Sequence, residues 1–281
     1  MRDAGIQTHE SLSLTIGRVP VQLRFPCPEL REAALGRYAA FADAREGGEA
    51  KGVLPIRLES TPRPPGASAG FRYAHEGAQV WLEGATAHFS GVRSEYTLDS
   101  LLRILLSWLL PPLEGFLLHA ATVMRSGRAY VFPGRSGAGK STLASLSPTG
   151  SVLTDEISLL RREGDAWRAY GTPFWGEFRS AGSNCSAPVQ GIFSLVKAEG
   201  NSVRALAPRE ALRAILPCVL FFSSEAQARK RLLDLLAGAV AEISCYELRF
   251  RRDASFWDVL PAAASPVSRR GRAEAQEARC T

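Results

Sequence analysis

Gly134-Arg-Ser-Gly-Ala-Gly-Lys-Ser-Thr142 satisfies the pattern G-x-x-x-x-G-K-[ST] at every fixed position. Loops of this kind cradle phosphates with main-chain N–H groups. Gly134, Gly137 and Gly139 let the backbone turn tightly and aim successive amides inward, and a helix opening near Lys140 adds the positive end of its dipole. Lys140 is expected to bridge terminal phosphates and Ser141 to hold Mg²⁺. The flanks agree with that reading. Ala129-Tyr-Val-Phe132 reads as a short buried strand entering the loop, and Ser141-Thr-Leu-Ala-Ser-Leu146 as the first turns of a helix leaving it. The expected nucleotide-binding segment is therefore Gly134, Arg135, Ser136, Gly137, Ala138, Gly139, Lys140, Ser141 and Thr142.

About fifteen residues after the lysine comes an acidic element. Ser151-Val-Leu-Thr-Asp155-Glu156 follows the turn-like Ser147-Pro-Thr-Gly150, and an apolar run ending in a carboxylate fits a strand that stops at a metal. Asp155 is the first candidate ligand and Glu156 the second. Neighbouring side chains on a regular strand point to opposite faces, so both acids reach one site only if the strand has already ended. Otherwise one of them is structural.

Two strand-like runs precede the loop, Gly115–Met124 and Arg128–Phe132, joined by Arg125-Ser126-Gly127 as a hairpin. A simple mononucleotide-binding unit does not start with an antiparallel pair. This arrangement, with His119 on the first strand, the loop after the second and paired acids at Asp155 and Glu156, resembles the HPr kinase/phosphorylase family over roughly residues 116–256. The resemblance implies a fold of the HPr kinase/phosphoenolpyruvate carboxykinase type: an α/β phosphate-loop nucleotide-binding domain with a mixed sheet. It implies an ATP-dependent kinase in which Asp155 accepts the proton of a serine hydroxyl attacking the γ-phosphate, with Lys140 and Mg²⁺ clamping the phosphates. It also implies that His119 donates a hydrogen bond to the transferring group; read from its apolar neighbours alone, His119 is equally a satisfied core histidine. Related kinases often form rings, so a homo-oligomer is implied as well.

Departures from the family bound the expectation. Asp155-Glu156 stands where members often carry two aspartates, and the family's Leu-Glu-Ile-Arg-Gly-Leu-Gly signature has no counterpart in Tyr170–Arg179. Phosphorylase activity is not carried over. Glu177 and Arg179 remain candidates for a second metal or phosphate contact, or a surface ion pair. The guanine-reading Asn-Lys-x-Asp segment, the transporter signature Leu-Ser-Gly-Gly-Gln and the protein-kinase motifs are absent from the sequence, which leaves ATP as the expected nucleotide by elimination. The chief alternative is an ATP-binding sensor or assembly factor that transfers no phosphate. A decarboxylating carboxykinase is the weaker third reading, since no set of additional metal-binding groups is evident.

The chain has 281 residues, 46% of them hydrophobic, enough for a substantial core. Its net charge of +6 comes from dispersed arginines, with Arg269, Arg270, Arg272 and Arg279 in a polar tail, so nucleic-acid binding is not expected. Cys27, Cys185, Cys218, Cys245 and Cys280 are widely spaced without a C-x-x-C pair. The N-terminus lacks the apolar run of a secretory signal, and the apolar stretch Leu101–Leu110 is broken by Arg103 and stopped by Pro111-Pro112, short of the roughly 20 residues a bilayer needs. A cytoplasmic protein without membrane contact is expected, whose partner is a protein or peptide bearing the accepting serine. Asp99 and Ser100 read as the N-cap of that apolar helix. In the front region short alternating strands, Ser11–Ile16 and Val21–Phe25 among them, surround a helix over residues 29–43, suggesting a small α+β domain. His75 and His88 show no carboxylate or cysteine at metal-ligand spacing. The expected organisation is thus an α+β domain over 1–98, the kinase-like domain over 99–261 and a disordered tail over 262–281.

Overall fold

Alternation of apolar and polar side chains builds the first sheet, as in Ser11–Ile16, where Leu12, Leu14 and Ile16 are buried and the residues between them are not. The computed structural model describes residues 11–43, 53–59, 72–75, 77–148, 150–174, 182–261 and 279–280. The chain divides into two compact units, Met1–Trp108 and Leu109–Thr281. Glu177, Arg179 and nearly all of the expected tail lie outside the described residues.

The first unit runs β1 (Ser11–Ile16), β2 (Val19–Arg24), α1 (Pro28–Tyr38), β3 (Leu54–Glu59), β4 (Arg72–His75), β5 (Ala78–Glu83), β6 (Thr86–Ser90) and α2 (Glu95–Leu109). Its six strands form a mixed sheet in the order β1-β2-β3-β6-β5-β4. Gly17 and Arg18 both take left-handed φ values, 57° and 60°, the turn whose twist matches a right-twisted hairpin. The expected N-cap of α2 is corrected. The helix begins at Glu95, where Ser94 Oγ accepts the Thr97 N–H at 3.4 Å, and Asp99 lies inside it. Asp99 is buried because Arg37 pairs with it and the Tyr38 hydroxyl donates to it at 2.6 Å. His88 also has carboxylate company that its local sequence does not reveal. Its ring lies 2.7 Å from Glu59 and 3.8 Å from Glu83, both contributed by neighbouring strands.

The second unit holds β7 (Gly115–Arg125), β8 (Arg128–Pro133), α3 (Lys140–Ser145), β9 (Val152–Thr154), β10 (Ile157–Glu163), β11 (Ala166–Tyr170), β12 (Cys185–Lys197), β13 (Ser202–Ala205), α4 (Pro208–Ile215), β14 (Val219–Leu220), α5 (Ala226–Glu242), β15 (Cys245–Phe250), α6 (Phe256–Val259) and β16 (Arg279–Cys280). Strand order is β11-β10-β7-β8-β12-β15-β13, with β9 and β14 added to β7 and β16 to β12. The sheet is mixed. β7 and β8 are antiparallel, whereas β8, β12 and β15 run parallel, so their carboxyl ends share one edge.

Period-two alternation divides this sheet's side chains between two cores. Ala129 and Val131 of β8 join Leu118, Ile192, Ile215 and Leu236 on the face covered by α4 and α5. Tyr130 and Phe132 turn the other way, to Leu143, Phe193, Phe250, Phe256 and Trp257 beside α3 and α6. Burial on both faces explains why Ala129–Phe132 reads as an unbroken apolar run. Burying each large side chain contributes about 1.5–3 kcal/mol. Among the described residues no helix is long and apolar enough to cross a membrane. Cys27, Cys218 and Cys245 carry free thiols, while Cys185 is disulfide-bonded, which the cysteine spacing did not suggest.

Candidate functional site

Strand β7 acts as the ruler that brings distant sequence together. On one side Ala120 faces Pro133, the last residue of β8, and the Gly134 N–H donates to His119 O at 3.2 Å. On the other side His119 faces Ile157 of β10, and the Ala120 N–H donates to Glu156 O at 2.9 Å. The glycine loop and the acid pair thus leave their strands at the same level, with His119 between them. Leu118 and Ala120 face the core under α4 and α5, so alternation places His119 on the α3 side.

The loop holds its shape through backbone requirements that few residues meet. Gly137 and Gly139 have φ of 76° and 108°, where a side chain is strained. Gly134 is constrained by space instead: a Cβ there would lie 2.7 Å from the Ala138 Cβ. The Ala138 N–H closes a turn onto Arg135 O at 3.1 Å. Lys140 is only 7% exposed and folds back over the loop, its Nζ donating to Gly134 O at 2.9 Å and Arg135 O at 3.3 Å. With six residues, α3 has a small dipole, so the amides and the ammonium carry most of the loop's positive potential.

The acids occupy a bend. β9 stops at Thr154 and β10 resumes at Ile157, so Asp155 and Glu156 escape strand alternation and both line one cavity. The Thr154 and Thr172 hydroxyls brace the bend by donating to Ile157 O at 3.1 and 2.5 Å. Asp155 is 4% exposed. His119 Nε2 lies 3.9 Å from Glu156 Oε1 with 29% of its side chain exposed, so this is a cavity-lining histidine and not a core one.

The cavity measures about 560 Å³ and is walled by His119, Ser136, Gly137, Gly139, Lys140, Ser141, Thr142, Asp155, Glu156 and Arg252. That size lies within the range of small-molecule sites, 300–1,000 Å³. Three of the expected loop residues, Gly134, Arg135 and Ala138, instead line a second cavity of about 580 Å³ on the α4 side, with Leu195, Val196, Leu206 and Cys218. Arg252 escaped the sequence reading because arginines are scattered through the chain. Its position just past β15 was the available signal, since ligands of parallel sheets gather at the strands' carboxyl ends.

Among the described residues no group of three or more His, Cys, Asp or Glu side chains forms a metal cage. The donors at hand are the Ser141 hydroxyl and the Asp155 and Glu156 carboxylates, all oxygen and all lining this cavity. This set fits Mg²⁺, which takes one or two carboxylates and fills its remaining positions with phosphate oxygens and water.

Fold and cavity together define a two-unit α/β protein whose second unit carries a polar, glycine-loop-walled cleft at the carboxyl edge of a mixed sheet. Residues 110–264 match the family described as ScmC, SynChlorMet cassette protein ScmC. The match covers just over half of the 281 residues and falls within the second unit, and the chain belongs to that family. Comparison with curated proteins finds no match.

Proposed function

We propose that the second unit is a phosphate-loop kinase domain of the HPr kinase-like type, which transfers the γ-phosphate of ATP to a hydroxyl, a serine of a protein or peptide. One observation carries this reading: a lysine wrapped by a glycine loop and two adjacent carboxylates open onto the same small cavity, although fifteen residues separate them in sequence. The antiparallel lead-in β7–β8 and the resemblance quoted above support it further.

In this reading Ser136–Thr142 amides bind the phosphate oxygens and Lys140 spans the terminal ones, exchanging its carbonyl partners for phosphate. Asp155 orients the acceptor hydroxyl and takes its proton as the new O–P bond forms and the bond from the γ-phosphorus to the bridging oxygen breaks, releasing ADP. Glu156 and Ser141, with Asp155, would hold Mg²⁺, which neutralises charge on the phosphate oxygens when bound. His119, beside Glu156, donates to the transferring group. Positioning alone supplies on the order of 7–11 kcal/mol in such chemistry.

Mass spectrometry of candidate proteins and peptides after incubation with ATP and Mg²⁺ tests the proposal. Phosphoserine should appear with the wild type and vanish with Lys140→Ala and Asp155→Asn. Nucleotide binding with no phosphorylated acceptor would favour a sensor or assembly factor instead.

A further inference from the structure

We infer that Arg252 grips the part of the nucleotide that stays behind, the diphosphate of the ADP product, at the end of the cavity opposite the acids. The inference rests on the polyphosphate reading of that cavity and adds a direction to it.

Three observations carry it. Arg252 lines the cavity with Lys140, Asp155 and Glu156, yet makes no ion pair or hydrogen bond with any described residue. Its neighbours behave differently. Arg251 is paired with Asp253, and Arg204 with Glu210 and Glu247. A guanidinium left without a carboxylate beside a glycine loop is suited to an incoming anion, which it can meet with several donors in a fixed fork.

The turn that presents Arg252 is braced. Asn201 Oδ1 accepts the Arg251 N–H at 2.7 Å, while its Nδ2 donates to Asp253 at 3.3 Å and Ser255 Oγ at 2.9 Å. The Ser255 N–H donates to Asp253 at 3.0 Å. Phe250, two residues before Arg252, packs against the loop, since a Cβ on Gly139 would lie 3.4 Å from its ring. The backbone at 251–255 is thus fixed on both sides of an unpaired side chain.

Sheet order supplies the direction. The acid bend joins β9 to β10, both on the side of β7 away from β8. Arg252 follows β15, which lies beyond β12 on the other side of β8. Strands lie about 4.8 Å apart, so the loop after β8 sits between the acids and the backbone that carries Arg252, roughly 10 Å the other way. A triphosphate along the loop with its reacting end at Asp155 must extend toward Arg252 at its nucleoside end.

Calorimetric titration of ATP and of ADP, each with Mg²⁺, into wild type, Arg252→Ala and Arg252→Lys tests this. Arg252→Ala should weaken both nucleotides by the same factor, roughly tenfold to a hundredfold for a charge-assisted contact, and Arg252→Lys should recover part of it. Unchanged thermal unfolding of the variants would show that the exposed substitution leaves the fold intact. Loss of ATP affinity alone would place Arg252 at the transferring phosphate and overturn the inference, as would no loss for either nucleotide. A wild type that binds neither would instead remove the polyphosphate reading itself, and Arg252's role with it.

Discussion

Substituting Gly134 by Ala probes the loop where its geometry is tightest. The added methyl would sit 2.7 Å from the Ala138 Cβ, whereas carbon atoms rest at about 3.5–4.0 Å. Relief requires a shift of roughly 0.8 Å or more, and it must come from the loop, because Gly134 is tied to His119 O through its N–H and to Lys140 through its O. Overpacking of this kind costs about 1–3 kcal/mol of stability. Displaced amides would also lose at least one charge-assisted bond to phosphate, about 1.5–3 kcal/mol, or tenfold or more in affinity. The assay is a double-mutant cycle with Ala138→Gly, read by urea denaturation and by nucleotide titration. Removing the facing methyl should restore much of both losses, with a coupling of about 0.5–3 kcal/mol between the sites. Additive effects would refute the argument that Ala138 is what Gly134 must avoid.

Other outcomes follow from the same contacts. Asp99→Ala should destabilise the protein by about 3–5 kcal/mol in urea, because it leaves the Arg37 guanidinium buried without its carboxylate; a loss below 1 kcal/mol would show the pair to be dispensable. Asp155→Asn should retain nucleotide affinity within a few-fold while abolishing phosphorylation of any acceptor, measured by titration and by phosphate incorporation. Burial pushes the Cys245 thiol up to about 11 from 9.0. The native state therefore holds that proton longer than the unfolded chain, so its stabilisation is full below pH 9 and falls by up to about 3 kcal/mol as pH rises to 11. Denaturation curves at stepped pH should show that loss diminished in Cys245→Ala.

Local chemistry was legible in the sequence, and register was not. The strand–loop–helix setting of Gly134–Thr142 and the hairpin around Ser126-Gly127 announce themselves through glycine placement and apolar period. The acid pair was legible only as a conditional, and the bend at Asp155-Glu156 decides it by freeing both side chains from alternation. Asp99 was misread as a cap because its partner Arg37 is 62 residues away, and a buried Asp needs that partner before its place inside a helix makes sense. His88 finds Glu59 and Glu83 through strand pairing, which no spacing along the chain encodes. Arg252 reaches the cavity for the same reason: the order β8-β12-β15 brings it beside the loop, while the sequence offers one arginine among many.

Hydrogen exchange of the main-chain amides at 135–142, with and without ATP and Mg²⁺, tests the central claim most directly. Slowed exchange across Ser136–Thr142 that disappears in Lys140→Ala is the predicted result. Amides that exchange at the same rate in both conditions, at nucleotide concentrations in the millimolar range, would contradict a phosphate-gripping loop and the kinase proposal built on it.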